Sequence, residues 1–485
     1  MSIHPITLFL PMLVALAFAF GGLRAAFLCA CVSVPFRTSA VLSAGGLNIL
    51  AEHLAFALII GAAGAAALLR KPSAKPRGRV EVEQAVLFLL ISYVFLSALF
   101  LPNVFRDIWV VNPSLTFAGE QRYANNVPGL SLSPLRPSSA NFTQPAYTLF
   151  SALVFVVAVR LGRKHGYALL DRGLAIAATV HAGLGLADII GLDSILSIVR
   201  TASYRINDSH QMLGLDRTIG AMVEASRYGI LAGILFSYFF ALWLMRGGKR
   251  NFRLAALLFV TGLSTLSTSA FLCIAAAFTV LAARFLFASR VSRLSSYRIG
   301  ALLAVFLLSL SAILALTPAG PIVVDVVNSL VFNKADSDSG LVRSASLRLS
   351  LTTLRDTWYL GAGAGSVVSN GLPFVWLGNI GLPGTILFVL FFFLVMRGRG
   401  RLKGQNPADY HHWFAATTAV AVYLIGEGAS RTLLDPGIAS MLISAMAVTT
   451  RRPLWISTAA TQMHLSPDHG STAAAPQRPA VNSRS

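Results

Sequence analysis

Charged side chains are scarce in this chain, and acidic ones are the scarcest. Asp, Glu, Lys and Arg make up only 12% of the 485 residues, whereas 55% of the residues are apolar. A soluble domain carries about 25% charged residues, so this deficit excludes an ordinary soluble enzyme. Apolar runs of about 20 residues, long enough to cross a bilayer as helices, recur along the chain. We therefore predict an all-α integral membrane protein.

Cysteines, metal-ligand clusters and nucleotide motifs are also few or absent. The three cysteines lie in apolar runs, which predicts small buried side chains and excludes a disulfide framework or a zinc site. Gly361, Gly363 and Gly365 resemble a phosphate loop, but no Walker lysine follows, and Ser366 replaces the third glycine of a dinucleotide fingerprint. We expect no cofactor and no metal, and interpret these glycines as a tight return of the chain toward the membrane.

The net charge of +20 comes from short basic loops that lie beside apolar segments. Nucleic-acid binding would need one contiguous basic domain with interleaved aromatic residues, and the sequence has none. Short loops rich in Lys and Arg stay on the cytoplasmic side of a membrane. The loops that we assign to that side are 70–79, 160–166, 246–253, 284–298 and 397–403.

The apolar segments predict one polytopic membrane domain, residues 1–450, followed by a disordered cytoplasmic tail, 451–485. The predicted spans are 6–35, 47–69, 82–101, 145–161, 171–192, 228–245, 252–268, 269–284, 299–317, 374–396, 413–430 and 436–450. The longer loops on the outer side are about 102–144, 193–227 and 318–373. The sequence starts with no basic region before its apolar run, so we expect no cleaved signal peptide.

The first span is long, and Arg24 within it marks either a snorkelling side chain or the turn of a hairpin. A single helix gives about twelve spans (11–13) with both termini in the cytoplasm, whereas a hairpin gives thirteen. We prefer the single helix.

The outer loop 318–373 carries an amphipathic, arginine-bearing segment. Its apolar positions follow helical spacing and are Leu347, Leu351, Leu354 and Trp358. This stripe predicts a helix at the membrane surface, with Arg348 and Arg355 on nearly one face and Arg343 further up. Guanidinium groups bind phosphate oxygens bidentately, so these arginines suit a phosphate-bearing substrate. The alternative is that they contact lipid headgroups.

The outer loop 193–227 carries a second cluster, formed by Arg217, Glu224 and Arg227. Ionisable groups this close to a span tend to face a cavity or one another. Glu224 and Arg227 are three residues apart, so they also suit a simple surface pair. Further candidates in or beside spans are Glu52, His53, Asp188, Glu427, Arg431 and Asp435. Among these, Glu427 and Arg431 have the spacing of a structural pair.

Three stretches together resemble the O-antigen ligase and O-antigen polymerase family of bacterial membrane proteins. LDRTIGAMVEASRYG, 215–229, is similar to the family's motif of arginine, glycine and an acidic residue that leads into a helix. SLRLSLTTLRDTWYLGAGAGSVVSN, 346–370, with LGNIGLPG, 377–384, looks like its large periplasmic loop and the next span. LSTLSTSAF, 263–271, fits a tight outer turn.

The resemblance implies a multi-pass protein of the bacterial inner membrane that transfers a glycan from a polyprenyl diphosphate at the periplasmic face. Arg217, Arg348 and Arg355 would then hold the diphosphate, and Glu224 would orient an arginine or activate the acceptor hydroxyl. The residues expected to bind substrate are Arg227, Arg343, Trp358 and Asn370. The expected partners are the lipid-linked oligosaccharide, membrane lipid and a chain-length regulator, with no nucleic acid.

Two departures from the family favour a polymerase of O-antigen or exopolysaccharide repeat units over a ligase. Asn370 stands where ligases carry a histidine, and an amide cannot accept a proton as imidazole does. Ser267, Thr268 and Ser269 occupy the outer turn where many members carry arginine. The alternatives are a ligase and, in a different class, a flippase or transporter of lipid-linked glycan. The absence of internal repeats favours an enzyme over a transporter.

Overall fold

A computed structural model describes residues 2–44, 47–69, 79–113, 122–123, 131–202, 211–212, 215–287, 338–398, 407–451 and 455–457. Helices dominate this part of the chain. They are α1 Pro5–Val32, α2 Ala51–Leu68, α3 Val82–Val104, α4 Ala140–His165, α5 Tyr167–Ile189, α6 Asp193–Val199, α7 Ala225–Arg246, α8 Lys249–Leu263, α9 Thr268–Phe287, α10 Asp338–Asp356, α11 Leu372–Met396, α12 Pro407–Ser430 and α13 Ile438–Thr449.

Eight of the described helices are long and apolar enough to cross a membrane: α1 to α5, α7, α9 and α11. This confirms a mostly helical, multi-pass membrane protein, while the expected total of twelve spans stays a prediction. The predicted span 299–317 and most of the tail lie outside the described residues. Within the tail, however, three residues pair as a strand where we expected disorder.

Short antiparallel strands connect the helices. They are β1 Ser2–Ile3, β2 Ala40–Ala44, β3 Leu47–Leu50, β4 Arg79–Glu81, β5 Val110–Val111, β6 Arg122–Tyr123, β7 Ser131–Pro134, β8 Gln211–Met212, β9 Leu215–Asp216 and β10 Trp455–Ser457. Their sheets are β1-β2-β3, β4-β10, β5-β7-β6 and β8-β9. Pairing of β4 with β10 joins the start of the tail to the start of α3.

Helix α7 lies at the centre of the bundle, with 83% of its apolar window buried. A helix that is apolar all round is suited to such a position. It packs on α8, α9 and α12. A methyl group at Gly229 would overlap the Ala270 side chain, and one at Gly233 would meet Cys273. These glycines therefore allow the close approach of α7 to α9 that small residues provide in membrane bundles.

The bundle has two chemically different ends. Arg163 and Lys164 end α4, Arg246 ends α7 and Lys249 begins α8. Arg163 also donates to Val448 O at the end of α13 (2.8 Å), which brings these termini together. We call this the basic end. The described parts of the predicted loops 160–166 and 246–253 lie here, as expected for one membrane side.

The opposite end of the bundle collects five loops, three of which belong to the stretches that carry the family resemblance. These loops are 33–39, 217–224, 264–267, 361–371 and 431–437. Thr218 N donates to Ser264 O (3.2 Å), and Gly371 N donates to Arg431 O (2.8 Å). Segments distant in sequence therefore meet at one end, away from the basic end.

Helix α1 is broken at Gly22, where φ is +64° and ψ is −164°. A straight helix of its 28 residues would be ~42 Å long. Ile3 nevertheless pairs with Leu42, and residues 33–42 reach at most ~36 Å when extended. The chain must therefore fold back at Gly22. This corrects our preference for a single straight span and agrees with the hairpin alternative, which places β1 at the opposite end.

The glycine-rich segment 361–367 is a buried turn between α10 and α11. Gly365 has φ +87°, and a side chain there would overlap the Ala140 carbonyl. Asn379 Oδ1 accepts hydrogen bonds from Gly365 N (2.9 Å) and Val367 N (3.1 Å), and Asn379 Nδ2 donates to Val367 O (2.8 Å). These contacts support the predicted tight return and hold α10 against the bundle.

Helix α10 packs on α11 through small hydroxyl residues rather than through its apolar stripe. The buried positions are Ser346, Ser350, Thr353, Leu354 and Thr357. Leu351 and Trp358, which we placed in the stripe, are 42% and 73% exposed. The predicted helix is present, but only part of its apolar stripe is buried: Leu354 packs inside, whereas Leu351 and Trp358 are exposed. The reason is that the serine and threonine face allows closer packing on α11.

Candidate functional site

A cavity of about 390 Å³ opens at the opposite end of the bundle. Its walls come from the loops 33–39, 222–224 and 431–437 and from the adjoining ends of α2, α7 and α12. The charged lining residues are Arg37, Glu52, Glu224, Arg227, Glu427 and Arg431. One apolar wall, which includes Ile230, Leu231 and Ile234, faces them. Such a volume, with few polar groups on an apolar wall, is typical of a ligand site.

Glu427 joins two arginines at the floor of this cavity. Its Oε2 lies 2.8 Å from Arg227 Nη1, and its Oε1 lies 2.9 Å from Arg431 Nη1. Glu427 and Arg431 form the pair expected from their spacing, but Arg227, 200 residues earlier in the chain, makes the second contact. One buried carboxylate thus fixes the position of two guanidinium groups through charge-assisted hydrogen bonds.

The Arg431 guanidinium donates hydrogen bonds to three oxygen acceptors. Besides Glu427, it donates from Nε to Leu433 O (3.2 Å) and from Nη2 to Asp435 O. Asp435 in turn accepts from Gly437 N (3.0 Å) through Oδ1. Burial by itself would lower the pKa of Arg431, but the Glu427 and Asp435 charges outweigh it and raise that pKa. Arg431 therefore stays charged and supports the cavity from behind.

Arg37 is a member of the site that sequence reasoning missed. Its Nε lies 3.0 Å from Glu52 Oε1, and the loop that carries it is anchored by Thr38 N, which donates to Ala221 O (3.1 Å). The only signal in the sequence was a single arginine just after a long apolar segment. Its importance arises because the β2–β3 hairpin returns the chain to this loop, so that Ala51 N at the start of α2 donates to Ser39 O (2.8 Å).

Glu224 is the carboxylate most open to the cavity. Its side chain is 41% exposed, Arg227 Nε lies 3.7 Å from its Oε1, and the Ser226 hydroxyl donates to the same oxygen. The predicted Glu224–Arg227 pair is therefore present, although Arg227 makes its shorter contact with Glu427.

Asp188 organises the loop that carries Glu224 and lies outside the cavity lining. Its Oδ2 accepts from Ile219 N (2.6 Å) and Gly220 N (2.9 Å), and its Oδ1 accepts from Arg200 Nη2 (2.9 Å). All of these contacts are internal to the fold, so we assign Asp188 a structural role.

Arg217 lies next to the cavity rather than in its lining. Its Nε donates to Thr265 O (3.0 Å), in the turn between α8 and α9. Partial burial lowers the pKa of Arg217, and the negative charge of Glu224 opposes that shift. The stretches 215–229 and 263–271, two of the three on which the resemblance rests, are therefore neighbours in space.

The arginines of α10 do not reach this cavity. Arg348 and Arg355 are exposed, Arg343 is half-buried, and Arg355 Nε lies 3.1 Å from Asp356 Oδ1. Trp358 contacts Phe105 with ring centroids 5.7 Å apart. The structure thus separates these four predicted residues from Glu224 and Arg227.

Asn370 lies close to the cavity floor without lining it. It precedes Gly371, whose N–H donates to the Arg431 carbonyl (2.8 Å). His53, a further candidate, packs its ring on Tyr147 and Phe150 (centroids 5.1 and 5.4 Å) and also lies outside the lining. Within the described residues, no group of His, Cys, Asp or Glu has the arrangement of a metal site.

The six charged side chains of the lining form two groups. One group is partly exposed to the cavity, and the other is buried and contacts the first. The presented side chains are partly exposed: Arg37 at 28%, Arg227 at 22% and Glu224 at 41%. The holding side chains are buried: Glu52 at 1%, Glu427 at 7% and Arg431 at 7%. The arrangement offers two oriented cations and one accessible carboxylate, a set suited to an anionic group beside a hydroxyl.

No model of a known protein family matches this chain, and no curated protein matches it.

Proposed function

We propose that the protein is a bacterial inner-membrane glycosyltransferase that polymerises glycan repeat units carried on polyprenyl diphosphate. The observation that carries this proposal is the presentation of Arg37, Arg227 and Glu224 in one cavity at the end of the bundle away from the basic loops. Two oriented guanidinium groups suit the diphosphate, and the apolar wall suits the first isoprene units of its lipid.

In the proposed reaction, the bond between the anomeric carbon and the diphosphate oxygen breaks. The acceptor hydroxyl oxygen bonds to that carbon, and its proton passes to the Glu224 carboxylate. The polyprenyl diphosphate leaves with the electron pair of the broken bond. Arg37 and Arg227 stabilise the charge that develops on it, which is where preorganised donors act most strongly.

The other residues expected at the site take supporting positions in this proposal. Arg217 lies next to the cavity, where it donates to Thr265 O and lies within the field of the Glu224 charge, so we assign it a positioning role. Arg348 and Arg355 lie on the exposed face of α10, where they would meet the diphosphate headgroup before it enters the cavity, with Arg343 and Trp358 nearby. Asn370, beside the floor, cannot serve as a base, so the ligase remains the alternative within this class.

A transporter of lipid-linked glycan is the second candidate, and one observation favours it. Glu52, Arg227 and Glu427 lie on α2, α7 and α12 inside the bundle rather than only in outer loops. Ionisable groups within membrane helices are typical of translocation paths. All three nevertheless lie within one turn of the helix ends, which fits a surface site better than a path across the membrane.

Size analysis of surface polysaccharide in a deletion strain tests these functions. Single repeat units in place of long chains support a polymerase. Normal polymer that is missing only from lipid A-core indicates a ligase, and lipid-linked intermediates trapped in the cytoplasm indicate a transporter.

Complementation of the same strain tests the site. We expect Arg227→Gln and Glu224→Gln to reduce polymer synthesis about a hundredfold, the magnitude seen when one transition-state contact is removed. Asp193→Asn is the matched control, because Asp193 is a 75% exposed carboxylate outside the cavity lining. Full-length polymer from both site variants at normal expression would show that the cavity is not the active site.

A further inference from the structure

A second cavity, of about 330 Å³, lies at the basic end between the bend of α1 and the turn from α4 to α5. The lining residues that matter here are Arg24, Leu28, His165, Ala168, Leu169 and Arg172. It lies at the other end of the bundle from the candidate active site and shares no lining residue with it.

The charge of this cavity has one sign. Arg24, His165 and Arg172 line it, and none of its described lining residues is Asp or Glu. In the described part of the chain, no carboxylate forms an ion pair with Arg24 or Arg172. Asp171, the nearest in sequence, instead pairs with Arg250 (2.6 Å) and accepts from Tyr238 Oη (3.1 Å).

This arrangement differs from that of the candidate active site. There Arg37, Arg227 and Arg431 each lie beside a carboxylate. Arg24 and Arg172 line one cavity without a described carboxylate beside them, so an external anion that binds between them gains free energy from both. The cavity is therefore complementary to an anion, which the described residues do not supply.

The apolar residues of the lining, and the position of the cavity beside the exposed bend of α1, indicate the kind of anion. Leu28, Ala168 and Leu169 give the cavity an apolar wall, and Phe20, close to the bend of α1, is 89% exposed. A free anion would leave that wall unused. A ligand with a phosphate at one end and hydrocarbon at the other would satisfy both parts.

We propose that this cavity binds the phosphate of an anionic membrane phospholipid. Arg24 and Arg172 donate to the phosphate oxygens, for which the planar guanidinium fork is well suited. Leu28 and Leu169 contact the glycerol and the first acyl carbons. The break at Gly22 is what creates the site, because it turns Arg24 toward the start of α5. The inference does not depend on the proposed enzymatic function.

Native mass spectrometry of the purified full chain in detergent, titrated with cardiolipin, phosphatidylglycerol or phosphatidylcholine, tests the proposal. We expect the two anionic lipids to bind more tightly than phosphatidylcholine. Arg24→Gln/Arg172→Gln should weaken anionic-lipid binding about tenfold or more, as expected for lost charged hydrogen bonds. Arg160→Gln/Arg253→Gln removes the same charge from exposed positions at the basic end and should leave binding unchanged.

Three results would overturn the proposal. These are equal losses in the two double variants, equal binding of phosphatidylcholine, and displacement of the lipid by inorganic phosphate, which would indicate a free-anion site. Ala168→Trp provides an independent test, because it fills the cavity from an exposed position while keeping both arginines. If the charge variant does not fold, unchanged lipid binding by Ala168→Trp rejects the proposal.

Discussion

Two groups of arginines, both at the end of the bundle away from the basic end, differ in burial and in their ion-pair partners. Arg227 and Arg431 share the Glu427 carboxylate and are largely removed from solvent. Arg348 and Arg355 lie on the outward face of α10, and the nearest carboxylate to Arg355 is that of its own neighbour, Asp356. The first group is fixed in one geometry, whereas the second is free to adjust to what approaches it.

This difference separates the roles that a charged site needs. Cations that stabilise a transition state act best when they are already oriented and partly desolvated. Cations that capture a mobile headgroup act in a screened environment and contribute less each. We therefore expect substitutions in the cavity to have large effects and substitutions on α10 to have small ones. The following variants test that contrast.

Glu427→Gln should have the largest effect on stability. It removes the carboxylate that bridges Arg227 and Arg431, so the buried Arg431 guanidinium loses its ion-pair partner and Arg227 keeps only its longer contact with Glu224 among the described residues. Breaking a buried ion pair from one side costs about 3–5 kcal/mol of unfolding free energy. The measurement is thermal or denaturant unfolding of the purified protein in detergent. Glu224→Gln, at a 41% exposed position, is the control and should unfold nearly as the original chain does. Equal stability of the two variants would contradict the bridging role of Glu427.

Gly365→Ala should loosen the connection between α10 and the bundle. The positive φ of Gly365 alone makes alanine unfavourable by about 1–3 kcal/mol, and the overlap with the Ala140 carbonyl adds to that cost. We expect a lower unfolding midpoint and faster proteolysis near α10. Gly428→Ala, in α12, has open space around its added methyl group and serves as the matched control. An unchanged midpoint for Gly365→Ala would argue against the buried turn.

Arg227→Lys should reduce polymer synthesis about tenfold, equivalent to about 1.4 kcal/mol, with little change in stability. Lysine keeps the charge, but its ammonium cannot contact Glu427 and the Ser430 carbonyl in the forked geometry of Arg227 Nη1 and Nη2. Polymer length and amount in the complemented deletion strain give the readout. Full activity of this variant would mean that the positive charge alone suffices and that the paired contacts of Arg227 Nη1 and Nη2 have no role.

Arg348→Gln/Arg355→Gln should have the smallest effect. Both side chains are exposed, so the unfolding free energy should change by no more than about 0.5 kcal/mol. Polymer synthesis should fall less than in Arg227→Lys and should become less sensitive to salt, because screened surface charges are being removed. Thr352→Gln, on the same exposed face, controls for side-chain size. A loss of polymer greater than that of Arg227→Lys would move the centre of the site to α10.

Local spacing predicted the pairs three or four residues apart in the chain and missed the pairs between distant segments. Glu427 and Arg431 were recognisable because they are four residues apart. The contact from Arg227 to Glu427 was not, because no local pattern relates α7 to α12. The same reason explains Arg37, which lay outside every motif. The first span was misjudged because length and hydropathy do not record a single left-handed glycine such as Gly22.

Composition and hydropathy by themselves determined that this is a helical membrane protein with basic loops, because a bilayer admits only long apolar segments whose backbone groups are satisfied internally. Turn chemistry in the sequence also identified the return at residues 361–365. Only the tertiary structure decided which charges form a site. Arg37, Arg227 and Glu427 come from three distant segments, and the free energy of burying a charge depends on which partner reaches it. The tertiary structure also places Arg348 outside the cavity and puts no described carboxylate in an ion pair with Arg24.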